Sequence, residues 1–66
     1  MRVVVNGVER EVAEGTTVRA LIVQMGMGDQ AVAAEVNRRL VPRREQEGAV
    51  LRPGDSVELV SLVGGG

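Results

Sequence analysis

A chain of 66 residues suffices for one domain but not for a deep substrate cavity, because a domain of this size buries only about 60% of its unfolded surface. Apolar residues make up 44% and charged residues 26%, a globular composition, and the absence of Phe, Tyr and Trp makes the core aliphatic. Nine carboxylates against eight arginines leave a net charge of −1, which argues against nucleic-acid binding, and the lack of a long apolar run or a signal-peptide pattern argues against a membrane and for a cytoplasmic protein.

The first predicted element is a hairpin over residues 1–12. Arg2 to Val5 is rich in β-branched residues, Asn6-Gly7 supplies the two positive-φ positions of a type I′ turn, and Val8 to Val12 returns. Counting back from the turn pairs Val5 with Val8, Val3 with Arg10 and Met1 with Val12. Arg10 then falls on the inner face, where its aliphatic stem must pack while the guanidinium reaches water. A helix of about ten residues follows. Thr16 and Thr17 offer capping hydroxyls, Val18, Leu21, Ile22 and Met25 fall at i, i+3, i+4 and i+7, and Gly26 suits the left-handed position that ends a helix. So short a helix needs a sheet to pack on.

Val32, Ala34 and Val36 alternate with Ala33 and Glu35 as a third strand. Asn37-Arg38 turns the chain into a short strand, Arg39 to Val41, which Pro42 ends. Arg43 to Gly48 reads as a loop or single helical turn, and Val50 and Leu51 as a return to the core. Pro53-Gly54 signals a type II turn into a last strand, Ser56 to Val63, that buries Val57 and Leu59 and turns Val60 and Leu62 the other way. The order predicts an α+β roll, a mixed sheet of four to five strands with one helix on one face. Residues 1–63 form the domain and 64–66 a flexible glycine tail.

Chemistry has few places to reside. Without cysteine there is no disulfide, thiol nucleophile or thiolate metal site, and without histidine the commonest general base and metal ligand are missing. The nine carboxylates, from Glu9 to Glu58, are scattered and read as solvated surface charge, so no catalytic residue, metal site or bound cofactor is expected. The exceptional feature is Gly64-Gly65-Gly66 directly after a strand, which makes the C-terminal carboxylate the candidate reacting group.

The Asn6-Gly7 hairpin, the Gly15 to Val18 helix start, Val36-Asn37, Val41-Pro42-Arg43, Gly54-Asp55 and the Val63 to Gly66 ending together resemble the ThiS family of sulfur carriers in thiamine biosynthesis, which have the ubiquitin-like β-grasp fold. Two residues depart from the family pattern: Gln46, where members often carry tryptophan, and Arg38, where many carry glycine. The resemblance implies that Gly66 is adenylated by an E1-like, ThiF-type adenylyltransferase that consumes ATP. A persulfide source such as a cysteine desulfurase then converts Gly66 to a thiocarboxylate, and a ThiG-type thiazole synthase receives the sulfur.

The residue types suit that chemistry. An α-carboxylate with a pKa of about 3.3–3.7 is ionised at neutral pH and can attack the α-phosphate of ATP, and a residue without Cβ leaves its carbonyl open to both reagents. Gly64 and Gly65 give reach, because three to four extended residues span roughly 10–14 Å through a channel too narrow for side chains. Ordering the tail costs about 1–2 kcal/mol of backbone entropy per residue, so the partner must also grip the domain. β-Grasp topology would put Val4, Ala33, Val60 and Leu62 together on the sheet face opposite the helix, a candidate docking face. The lack of lysine disfavours chain building of the ubiquitin type. Other readings share the tail logic, namely the small subunit of molybdopterin synthase or a carrier for tRNA thiolation or cysteine synthesis. A reading of another class is a β-grasp interaction module with an inert tail.

Overall fold

The computed structural model describes residues 1–62. The predicted end of the last strand at Val63 and the tail Gly64 to Gly66 lie outside the described residues. Strands β1 (Arg2–Val5) and β2 (Val8–Glu11) form the hairpin in the predicted register, with Val5 opposite Val8 and Val3 opposite Arg10. Asn6 and Gly7 take φ of 50° and 82°, as a type I′ turn requires. The pairing extends to Met1, whose carbonyl accepts from Val12 N at 2.8 Å.

Arg10 pairs with the buried Val3 on the inner face as expected, lining a shallow depression with Leu21, Gln24 and Met25 while remaining exposed. β2 is an edge strand with all four residues exposed, and only Val12 beyond it is buried.

Helix α1 (Val18–Gln24) buries Val18, Leu21 and Ile22. Thr17 is extended and its hydroxyl accepts from Ala20 N at 3.0 Å, so Thr17 caps the helix. At the other end Gly26 N donates to Val23 O and Met27 N to Ile22 O, both at 3.0 Å, with Gly26 at φ 77°. This is a Schellman closure, which needs a left-handed residue where Gly26 stands. The two caps leave seven helical residues rather than ten.

β3 (Val32–Val36) and β4 (Arg39–Val41) form a second hairpin, followed by a 3-10 turn (Arg43–Glu45) and β5 (Ser56–Ser61). The sheet order is β2-β1-β5-β3-β4, with β1 and β5 parallel and the other pairs antiparallel. The helix therefore lies in the connection that carries the chain from one side of β5 to the other. Val3, Val5, Val32, Ala34, Val57 and Leu59 meet it in one aliphatic core. Leu51 joins that core as predicted, but Val50 is 57% exposed. The segment is extended there, with Val50 bridged to Thr17, so successive side chains alternate and only one of the two turns inward. Among the described residues no helix is long and apolar enough to cross a membrane.

Candidate functional site

β5 leads into the tail, and it is the central strand, flanked by β1 and β3. Two asparagines fasten it. Asn6 follows the last residue of β1, and its amide side chain continues the ladder, accepting from Leu59 N at 2.8 Å and donating to Leu59 O at 3.3 Å. Asn37, at φ 53°, accepts from Ser56 N at 3.0 Å and donates to Asp55 Oδ1 at 2.9 Å. Sequence reasoning read both only as turn formers. Asparagine at a left-handed turn position needs no further partner, so nothing in the pattern announces these bonds. At the far end Leu62 N donates to Ala31 O at 2.8 Å, which prolongs the β3–β5 pairing to the last described residue.

The sheet face away from α1 carries the candidate docking residues in two groups. Ala33 lies directly opposite Val60, with Leu62 two positions further along, and Val60 and Leu62 are 56% and 62% exposed. Val4 is on the same face, half-buried, but opposite Ser56, four residues upstream of Val60. Glu58 comes between, facing Glu35 across the β3–β5 pairing. The face is thus an apolar end beside the root of the tail and a separate Val4 behind an acidic tier. Gly64, Gly65 and Gly66 lie outside the described residues.

The charged groups offer no reaction centre among the described residues. No cluster of three potential metal ligands occurs among them. Glu11 is held below the ordinary glutamate range by a hydrogen bond from the N-terminal ammonium and by its charge, with a smaller contribution from Arg2. Its oxygen lies 2.9 Å from that ammonium. Glu11 faces Arg2, whose carbonyl accepts from Gly54 N before β5 begins, so it stands at the opposite end of the sheet from Leu62.

A one-helix, five-strand mixed sheet with these features has close counterparts among known proteins. The sequence profile of the ThiS family matches residues 3–66. The chain belongs to the ThiS family. A crystal structure of the thiamine biosynthesis protein ThiS from Geobacter metallireducens superimposes with a TM-score of 0.81 at 31% identity, covering all of both chains. The sulfur carrier protein ThiS of Escherichia coli is 27% identical over the whole of both chains. A thiazole synthase of Paramagnetospirillum magneticum is 36% identical over 66 residues, and one of Magnetococcus marinus 33%; the chain spans 20% of the length of each.

Both departures from the family pattern have structural consequences in this ThiS-family chain. Gln46 is 4% exposed, and its Nε2 donates to Val32 O at 3.1 Å and to Val41 O at 3.4 Å. A buried amide is tolerable only when satisfied, and here it ties the 3-10 turn to the ends of β3 and β4. Arg38 takes φ of 69°, so this turn has two side-chain-bearing residues in the left-handed region.

Proposed function

We propose that this ThiS-family chain is a cytoplasmic sulfur carrier of thiamine biosynthesis, acted on by enzymes rather than being one. The observation that carries this reading is the likeness along the whole length to proteins described as ThiS, one of them a sulfur carrier. Two thiazole synthases each contain a segment similar to the entire chain, which supports a ThiG-type synthase as the receiving enzyme.

The chemistry resides at the terminal carboxylate of Gly66. It attacks the α-phosphate of ATP in a ThiF-type adenylyltransferase, pyrophosphate leaves, and the acyl adenylate becomes the electrophile. A persulfide sulfur then attacks that carbonyl and displaces AMP. Cleavage of the S–S bond by a thiol leaves the thiocarboxylate. Gly64 and Gly65 carry the group into the partner's active site, and Ala33, Val60 and Leu62 form the nearest apolar surface for that partner to cover, while Val4 lies apart from it behind Glu35 and Glu58. The clamped central strand keeps the root of the tail fixed, so that the entropy of ordering falls on few residues.

Intact-mass measurement tests this directly. Incubation with ATP, the adenylyltransferase and a persulfide source should produce the mass change of one oxygen-to-sulfur exchange, located at Gly66. Deletion of Gly66 should abolish the change while leaving thermal unfolding as it was. An unaltered mass with demonstrably active partners rejects the carrier reading.

A further inference from the structure

The segment Val41-Pro42-Arg43 is one of those that carry the family resemblance, yet the tail chemistry makes no use of Arg43. Pro42, at φ −60° and ψ 154°, ends β4 and starts the 3-10 turn. Gln46 then anchors that turn, through its side chain to β3 and β4 and through its carbonyl, which accepts from Arg19 N at 3.0 Å. Around this anchor lies an open depression of about 640 Å³ lined by Arg19, Arg43, Arg44, Gln46 and Glu47. Three guanidiniums against one carboxylate give it a net charge of +2, on a chain whose total is −1.

Internal partners do not consume these cations. Arg19 donates Nη2 to the neutral Gly28 carbonyl at 3.0 Å, which fixes its head without neutralising it. Arg44 is 3.8 Å from Glu45, with both side chains largely exposed, a pair of little energetic weight. Arg43 has no carboxylate within 4.0 Å among the described residues.

Topology gives the depression its meaning. Gln46 bonds to Val32, Val32 lies directly opposite Ser61, and Leu62 bonds to Ala31. The arginines therefore gather at the end of the sheet where β5 hands the chain on to the tail. An enzyme that draws residues 64–66 into its active site must cover this end, so protein rather than a free anion closes the depression.

We propose that Arg43 and Arg44, with Arg19 as a fixed third cation, receive carboxylate side chains of the adenylyltransferase and orient the domain as the tail enters. This rests on the carrier reading above. Guanidinium and carboxylate match in paired, planar geometry, and charge complementarity at the margin of an interface governs encounter rate and salt dependence.

The test measures the affinity of the full chain for the ThiF-type adenylyltransferase of the same organism at about 50 and about 300 mM salt, across which the screening length shortens markedly. Arg43→Gln/Arg44→Gln should bind at least about tenfold more weakly at low salt and lose most of its salt dependence. Arg43→Lys/Arg44→Lys should keep the salt dependence and lose only part of the affinity. Both variants alter exposed side chains, and equal melting temperatures confirm that they fold. Wild-type affinity in the glutamine variant, with thiocarboxylate still formed on Gly66, overturns the arginine proposal and leaves the carrier reading standing. Saturable amide shifts at residues 43–47 with inorganic phosphate, together with unchanged enzyme binding by the glutamine variant, would assign the depression to a small anion and overturn it as well. Absence of any complex with the wild-type chain, and no mass change at Gly66, would remove both readings.

Discussion

Leu59 and Val60 are neighbours on β5 and both are aliphatic, yet Leu59 is 5% exposed beneath α1 and Val60 56% exposed on the other side of the sheet. The same alternation separates Val3 and Val5 from Val4, and Val32 and Ala34 from Ala33. The inner face is closed by Leu21 and Ile22 from the helix, and there each apolar side chain contributes to holding the domain together. Among the described residues, no second layer covers the outer face. An apolar residue there gains little in folding, so its value lies in what it can bury against another molecule.

Substitutions on β5 separate the two faces most sharply. Leu59→Ala should cost about 2–5 kcal/mol in chemical unfolding, through lost burial and the cavity left behind. Val60→Asp should change stability by no more than about 1 kcal/mol, the range of strand propensity at an exposed site, while weakening the complex with the adenylyltransferase. A large loss of stability at Val60, or undiminished binding, would break the division of labour between the faces.

A smaller effect is expected where the sheet turns. Arg38 holds φ at 69° with a side chain that favours neither position, and Arg38→Gly should stabilise the domain by about 1 kcal/mol, observable as a higher melting temperature. No loss of binding should accompany it, because this turn meets the start of β5 through Asn37, not its end.

The smallest effect concerns the exposed ion pair on the outer face. The pKa of Glu11 is lowered in the folded chain, chiefly by the N-terminal ammonium, so its contribution is present above the ordinary glutamate pKa and is lost as the pH falls through the lower folded value. Glu11→Gln should therefore lower the melting temperature slightly at neutral pH, and the difference from wild type should vanish in acid. A difference that persists at low pH would mean that Glu11 acts through something other than its charge.

Much of the architecture was legible beforehand because it follows from local rules. Asn6-Gly7 specifies the hairpin register, Val18, Leu21 and Ile22 specify the buried stripe of the helix, and Pro53-Gly54 gives a turn with Gly54 at φ 84°. A misreading occurred where a residue's environment depends on a distant segment. Val50 stayed exposed because a single bridge to Thr17 set its orientation. The candidate docking face was legible only as a set of alternating residues. That Val4 stands apart from Val60 depends on the parallel register of β1 against β5, which no local pattern encodes.

The sequence by itself determined which residues could react and which faces were apolar, because side-chain chemistry and strand alternation are properties of the chain. It offers neither cysteine nor histidine, and its motifs are those of the ThiS family. Only the tertiary structure decided what stands next to what. It put β5 at the centre of the sheet, gave Gln46 two carbonyls to satisfy, and gathered Arg19, Arg43 and Arg44 near the root of the tail. Arg19 and Arg44 are 25 positions apart in sequence and Val5 and Val57 are 52, and contacts of that range are fixed by the packing of the whole domain rather than by any segment of it.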